Sequence, residues 1–164
     1  MTSKNRTKID FNLDGLNEIV KEMGGKYVTR VGILGQDGAR SGDDALGNAE
    51  IGLVHLFGSV SRNIPARDFL RFPLEFKSKE FLKGIKSGFS GHFFEKGEYK
   101  KVHELMGIKA ENIVQDAFAS GGFGHWPELA QSTAERKGSS AILIDSAQLR
   151  RSITSDVVNA SEVK

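Results

Sequence analysis

Apolar residues recur along the chain in two alternating rhythms, and the changes between them mark the elements. From Leu13 to Met23 the positions Leu13, Leu16, Ile19, Val20 and Met23 follow helical spacing, and Gly24-Gly25 supplies a stop. From Tyr27 to Leu34 the period drops to two, with Tyr27, Thr29, Val31 and Ile33 on one face and Val28 and Leu34 on the other, which predicts a strand. Gly35 to Gly47 is Gly, Asp and Ser with almost nothing apolar, the pattern of a mobile surface loop. Helical spacing returns from Ala49 to Phe57, where Ile51, Val54 and His55 share a face with Leu53 and Phe57 beside it. Gly58 can then end that helix in the left-handed conformation.

Ile64-Pro65 is expected to be extended, because a proline ring disfavours helical geometry in the residue before it. Arg67 to Phe72 reads as a brief strand or an approach to a helix. Pro73 suits a first helical turn, and Leu74, Phe76, Phe81, Leu82, Ile85 and Phe89 continue at three-and-four spacing, which predicts the longest helix here. Gly84, Gly88 and Gly91 each weaken it by about 1 kcal/mol relative to Ala, placing a break near Gly88 to Gly97. Tyr99 to Phe118 resumes through Val102, Leu105, Met106, Ile113, Val114 and Phe118, with Gly107 as a point of interruption and Gly121-Gly122 as the close. Ser132-Thr133-Ala134-Glu135 has capping-box spacing, and Asp145-Ser146-Ala147-Gln148 repeats it with Asp as the cap. Ile153 to Val158 is a final strand. Strands at both ends with helices between predict an α+β fold: a small antiparallel sheet packed against a few helices, one of them long, with a Gly-rich mobile loop. The organisation is a flexible basic arm over 1–10, a single domain over 11–158 and a polar tail over 159–164 that frays.

Composition adds limits to this picture. The 164 residues suit one domain, which can hide roughly two-thirds of its unfolded surface. Only 38% are hydrophobic and 19 are Gly, so the core is modest and the loops long. Lys and Arg (23) nearly balance Asp and Glu (21), so any electrostatic role is local. The chain has no Cys, which excludes disulfides and thiolate metal sites. No apolar stretch approaches ~18 residues and the start is polar, so the chain reads as soluble, unexported and not membrane-bound.

Candidate chemistry is sparse. His55, His92, His103 and His125 are scattered, with no pair at zinc-protease spacing; a surface or half-buried imidazole is the simpler reading of each. Gly32, Gly35 and Gly38 follow a strand but match neither phosphate-loop pattern, and no serine lies in a nucleophile elbow. Asp43-Asp44 sits in the Gly-rich loop, where carboxylates are ordinarily solvated. No catalytic set, metal site or cofactor is expected. The cations Arg62, Arg67, Arg71, Lys77, Lys79, Lys83 and Lys86 interleave with Phe69, Phe72, Phe76 and Phe81, and with Lys4, Arg6 and Lys8 they allow sequence-indifferent contact with DNA. On a helix, Phe76 and its apolar neighbours are expected in the core and the lysines on the wet face.

Two longer stretches carry a resemblance. The first runs Asn48-Ala49-Glu50-Ile51-Gly52-Leu53-Val54-His55-Leu56-Phe57-Gly58 and then Ile64-Pro65-Ala66-Arg67-Asp68-Phe69-Leu70-Arg71. The second runs His125-Trp126-Pro127-Glu128-Leu129, then Thr133 and Lys137, then Leu143-Ile144-Asp145-Ser146-Ala147-Gln148-Leu149-Arg150-Arg151-Ser152-Ile153-Thr154. The pair resembles, in the same order, the signatures of the phage virion morphogenesis and tail-completion family, and with Val31-Gly32-Ile33 it covers most of 28–158. Leu56 departs from a usual Glu, Asp68 from a common Pro or Ser, and Ser146-Ala147 from Thr-Gly. The resemblance implies a non-enzymatic structural protein of the virion, assembled in the host cytoplasm, that completes the tail or joins tail to capsid at the neck. Its partners would be copies of itself in a closed ring, sixfold by analogy with tail terminators or else twelvefold. Tail-tube, connector or other neck proteins would be further partners, with genomic DNA passing close by.

On that reading Ile64, Pro65, Arg67, Phe69, Arg71, Trp126, Leu129, Asp145 and Leu149 are structural or interface residues. Lys4, Arg6, Lys8, Arg62, Lys77, Lys79 and Lys83 are candidates to face a DNA channel. Arg67 can offer a planar fork to a carboxylate or a backbone carbonyl, in an ion pair within the subunit or a contact to a neighbouring one, and Trp126 is expected to pin the loop after the long helix onto the domain. The rival from another class is an accessory nucleic-acid-binding protein without catalytic activity; a hydrolase has no visible machinery.

Overall fold

The computed structural model describes residues 26–35, 46–85, 98–138, 140–143 and 147–163. The predicted arm, the helix from Leu13 to Met23 and most of the Gly-rich loop lie outside them, as do Lys86, His92 and Asp145. The fold is α+β, and its framework is a strand from each end of the domain. β1 (Tyr27–Ile33) and β2 (Ile153–Asn159) pair antiparallel along their whole length, Tyr27 opposite Asn159 and Ile33 opposite Ile153. Their β-branched residues favour the pleat, yet two strands alone are marginal in water and need a helix across one face.

That cover is α3 (Tyr99–Ala119), 21 residues long, which hides Val102, Gly107, Ala110, Val114, Ala117 and Phe118. Before it come α1 (Asn48–Phe57) and α2 (Arg71–Phe76); after it come α4 (Gln131–Lys137) and the single turn α5 (Gln148–Arg151). Gly107 does not interrupt α3. It faces the sheet, where a Cβ would stand 2.4 Å from Ser155 Oγ, so its absence lets helix and strand approach closely. On the same sheet face the Thr29 hydroxyl donates to the His103 carbonyl at 3.1 Å and lies 2.9 Å from His103 Nδ1. On the other face Arg30 and Asp156, directly opposed in the ladder, form an exposed ion pair.

The core gathers Phe69, Val114, Ala117, Phe118, Trp126, Leu149 and Ile153, with Val31, Ile33, Ile51, Leu56 and Leu70 packed around it. Phe69 and Phe118 lie 5.4 Å apart between ring centroids, and Trp126 meets Phe118 edge-on at 5.6 Å. α1 enters this core through Asn48, Gly52, Ile51 and Leu56; a Cβ on Gly52 would lie 2.9 Å from Ile33 Cδ1. Leu53 and Phe57, expected beside the buried face, are exposed instead.

Several other expectations change. The longest helix among the described residues is α3, because the segment opening near Pro73 turns at Lys77 after only six helical residues and resumes over 78–85. α4 starts a residue before the expected Ser132 cap, with Ala130 at its N-terminus and left-handed Gly138 at its end. Gly58 has positive φ (75°) but extended ψ (176°), so it ends α1 without adopting the left-handed helical conformation. Beyond β2 a 3₁₀ turn (Ala160–Glu162) follows, with Ala160 N–H bonded to the Lys26 carbonyl at 2.9 Å. No helix among the described residues is long and apolar enough to cross a membrane.

Candidate functional site

The segment after α1 is built by a turn that only glycine can open. A Cβ on Gly58 would meet the Ala66 backbone nitrogen at 2.8 Å and the Ile64 carbonyl at 2.9 Å. From there the chain doubles back, with Ser59 and Ile64 exchanging backbone hydrogen bonds of 2.8 and 2.9 Å around Val60 to Asn63. Arg67 N–H then returns to the His55 carbonyl of α1 at 2.7 Å.

Arg67 is 4% exposed and has no carboxylate partner among the described residues. Its Nε donates to the Pro127 carbonyl and its Nη2 to the Glu128 carbonyl, each at 3.0 Å. Burial holds its pKa below the ordinary guanidinium value, although guanidinium keeps its charge in such surroundings. Of the two targets open to the fork, a carboxylate or a backbone carbonyl, these bonds take the second: two adjacent carbonyls of the same chain. Asp68, a point of departure from the resembled signature, accepts from Leu70 and Arg71 N–H at 3.1 and 2.8 Å and so holds the backbone leading into α2. Trp126 reaches the same segment from the other side, its indole N–H donating to the Asp68 carbonyl at 3.2 Å. The loop before Trp126 needs positive φ at Gly121, Gly122, Phe123 and Gly124, and Gly122 leaves room for the indole, which a Cβ there would meet at 2.4 Å. The two stretches that carry the family resemblance are therefore tied to each other at Arg67, Asp68 and Trp126.

Around this junction, Phe69 and Leu149 are core residues, while Ile64 and Leu129 are half-buried and Pro65 is exposed. Arg71 is exposed and lies 3.3 Å from Asp68 and 3.9 Å from Glu75. Arg67 is internal, Lys77 pairs with Glu80 at 3.0 Å and covers the Phe123 ring, and Arg62, Lys79 and Lys83 are exposed. Phe76 corrects its expected core position: it is 50% exposed and stacks on Phe123 at 5.2 Å and 14°. Phe72 and Phe76 both meet the His125 ring edge-on, so their i,i+4 spacing serves a surface aromatic cluster with the glycine loop. Sequence spacing cannot distinguish a loop partner from a core one.

Beside the junction lies an open groove of about 1010 Å³ between the 58–66 turn and the start of α4. Phe57, 74% exposed, and Val60, fully exposed, lie along it with Arg62, Leu129 and Arg136. Leu53 extends the apolar surface along α1. Phe57, Val60 and Arg136 were not among the residues singled out from sequence. The available signal was Val60, an apolar residue inside the polar turn Gly58-Ser59-Val60-Ser61-Arg62, where nothing local can bury it. The described residues hold no group of three metal-ligating side chains. What the groove offers is guanidinium donors beside apolar surface, the equipment of an interface. The chain matches no family model, no curated protein and no solved structure at significant similarity.

Proposed function

We propose that this chain is a non-enzymatic structural protein of a tailed bacteriophage particle, a ring-forming subunit that completes the tail or joins tail to capsid at the neck. The observation that carries the reading is the outward apolar surface of Leu53 and Phe57, in a stretch that resembles the tail-completion signature, and of Val60 in the turn that follows it. Large apolar side chains grouped on a surface mark a contact with another protein. A second support is the junction: the residues of the resemblance that turn inward, Arg67, Phe69, Trp126 and Leu149, hold one core together and leave these apolar residues for assembly. A ring subunit needs two unlike surfaces that meet head to tail and close, sixfold or twelvefold, around the DNA path.

Electron microscopy of particles assembled with and without the chain tests the reading. Its loss should leave capsids and tails unjoined or tails unfinished, and its density in whole particles should form a ring at the neck or the head-proximal end of the tail. Normal infectious particles lacking the chain would refute the proposal. The rival reading as a nucleic-acid accessory draws on Arg62, Lys79 and Lys83, which carry no ion pair among the described residues. It gains nothing from Arg67 and little from Lys77, both engaged within the chain.

A further inference from the structure

We infer that the groove beside the 58–66 turn receives the outer face of α3 of a second copy of this chain. The inference rests on the ring reading and names the contact that would build the ring. The groove is lined by three arginines, Arg62, Arg67 and Arg136, against one carboxylate, Glu128. Arg67 is spent on the junction, but Arg62 and Arg136 are exposed and form no ion pair among the described residues. Phe57 and Val60 line the same groove and are exposed, so the surface presents apolar and cationic side chains together.

The outer face of α3 is its complement in charge and matches it in apolar character. Glu104, Ile108 and Glu111 fall at i, i+4 and i+7 and so share one stripe of the helix, with Asp116 further along. Ile108 is 53% exposed at the centre of that stripe, although the opposite side of α3 is packed on the sheet. Neither Glu104 nor Glu111 forms an ion pair among the described residues. Lys101, three residues before Glu104 on the same side of the helix, is paired with Glu98 at 2.8 Å, and from Val102 to the end of α3 the only Lys or Arg is Lys109, whose ammonium lies against Gly84, away from the stripe. No groove-lining residue belongs to α3, so the two surfaces are separate on one chain, as a heterologous contact requires. Seating Ile108 between Phe57 and Val60 brings Glu104 and Glu111 toward Arg62 and Arg136, covering apolar area on both copies while pairing unlike charges.

The test uses the full chain, two double variants and their mixture. Arg62→Glu with Arg136→Glu makes both surfaces acidic; Glu104→Arg with Glu111→Arg makes both basic. Sedimentation velocity over a concentration series should show the wild type associating, and each variant alone should dissociate about tenfold more readily or more. An equimolar mixture should reassemble, because every groove can then meet a helix of opposite charge in an alternating ring with an even number of subunits. Added salt should weaken the wild-type contact. Circular dichroism melts matching the wild type establish that the variants are folded. Variants that associate as the wild type does, or a mixture that stays dissociated while the wild type assembles, overturn this contact and leave the ring reading intact. A wild-type chain that remains monomeric at every concentration overturns both.

Discussion

Replacing Arg67 with Ala should destabilise the isolated subunit, and the size of the loss follows from what the guanidinium holds. It makes two hydrogen bonds of 3.0 Å, to the carbonyls of Pro127 and Glu128, and so fixes the chain after Trp126 against the chain after α1. A hydrogen bond from a charged donor contributes about 1.5–3 kcal/mol when its partner is left behind. Pro127 and Glu128 are exposed residues, so water can reach their carbonyls once the side chain is gone, and the combined loss falls toward the low end, about 2–4 kcal/mol. For a domain of this size that corresponds to a fall in melting temperature of roughly 5–15 °C. Urea unfolding followed by fluorescence is well placed to measure it, because the single tryptophan, Trp126, bonds to the carbonyl of Asp68, the next residue along from Arg67. Arg67→Met, which keeps much of the volume, separates hydrogen bonding from packing. Arg67→Lys should recover less than half the loss, since one ammonium cannot reproduce the fork. If Arg67→Ala melts within 1 °C of the wild type, these bonds do not hold the junction and the reasoning fails. Any assembly defect of the variant would then have to arise at a subunit contact.

Gly107→Ala should destabilise by about 1–3 kcal/mol despite the better helix propensity of Ala, because the new methyl collides with Ser155. Adding Ser155→Gly should restore at least half of that in urea melts, and a stabilised Gly107→Ala single variant would refute the close approach. Asp156 is held below the ordinary carboxylate value chiefly by the hydrogen bond from Arg30, so its contribution is present above the unfolded pKa and is lost as pH falls through the depressed one. Asp156→Asn should therefore flatten part of the decline in urea midpoint below about pH 4, a small effect because the pair is exposed; an identical acid limb would contradict this. Duplex DNA should bind weakly, without sequence preference and with steep salt dependence, and Lys79→Ala or Lys83→Ala should reduce binding more than Lys77→Ala, whose ammonium is already paired. Nanomolar binding to one sequence at physiological salt in a fluorescence titration would favour the accessory DNA-binding reading.

The framework of the fold was legible because it depends on local rhythm. The period of two in Tyr27–Ile33 reflects a sheet with one covered face, and the ladder joins that strand to Ile153–Asn159 along its full length. The helical pattern of Tyr99–Ala119 was equally readable, although its glycine misled. Gly107 lowers helix propensity wherever it stands; only the tertiary packing reveals that the missing side chain is the space into which Ser155 fits. The same difficulty governed Phe72 and Phe76. Their spacing demands an apolar partner, but the partner is the Phe123 and His125 loop, whose four consecutive positive φ values no periodicity encodes.

At the candidate site the division between inward and outward residues could not be read from residue type. Arg67 is charged and buried, while Phe57 and Val60 are apolar and exposed, the reverse of what hydropathy assigns. The inversion has one cause. Two carbonyls at the turn into Leu129 point at the first segment and need donors, which a guanidinium supplies in a single plane. Once Arg67 turns inward to meet them, the doubled-back turn before it must project over the surface, carrying Val60 with it and leaving Phe57 at the end of α1 beside the groove. Arg67 lines the groove and its N–H is bonded to the His55 carbonyl of α1, so a change that loosens Arg67 should also blur the groove that the neighbouring copy is expected to recognise.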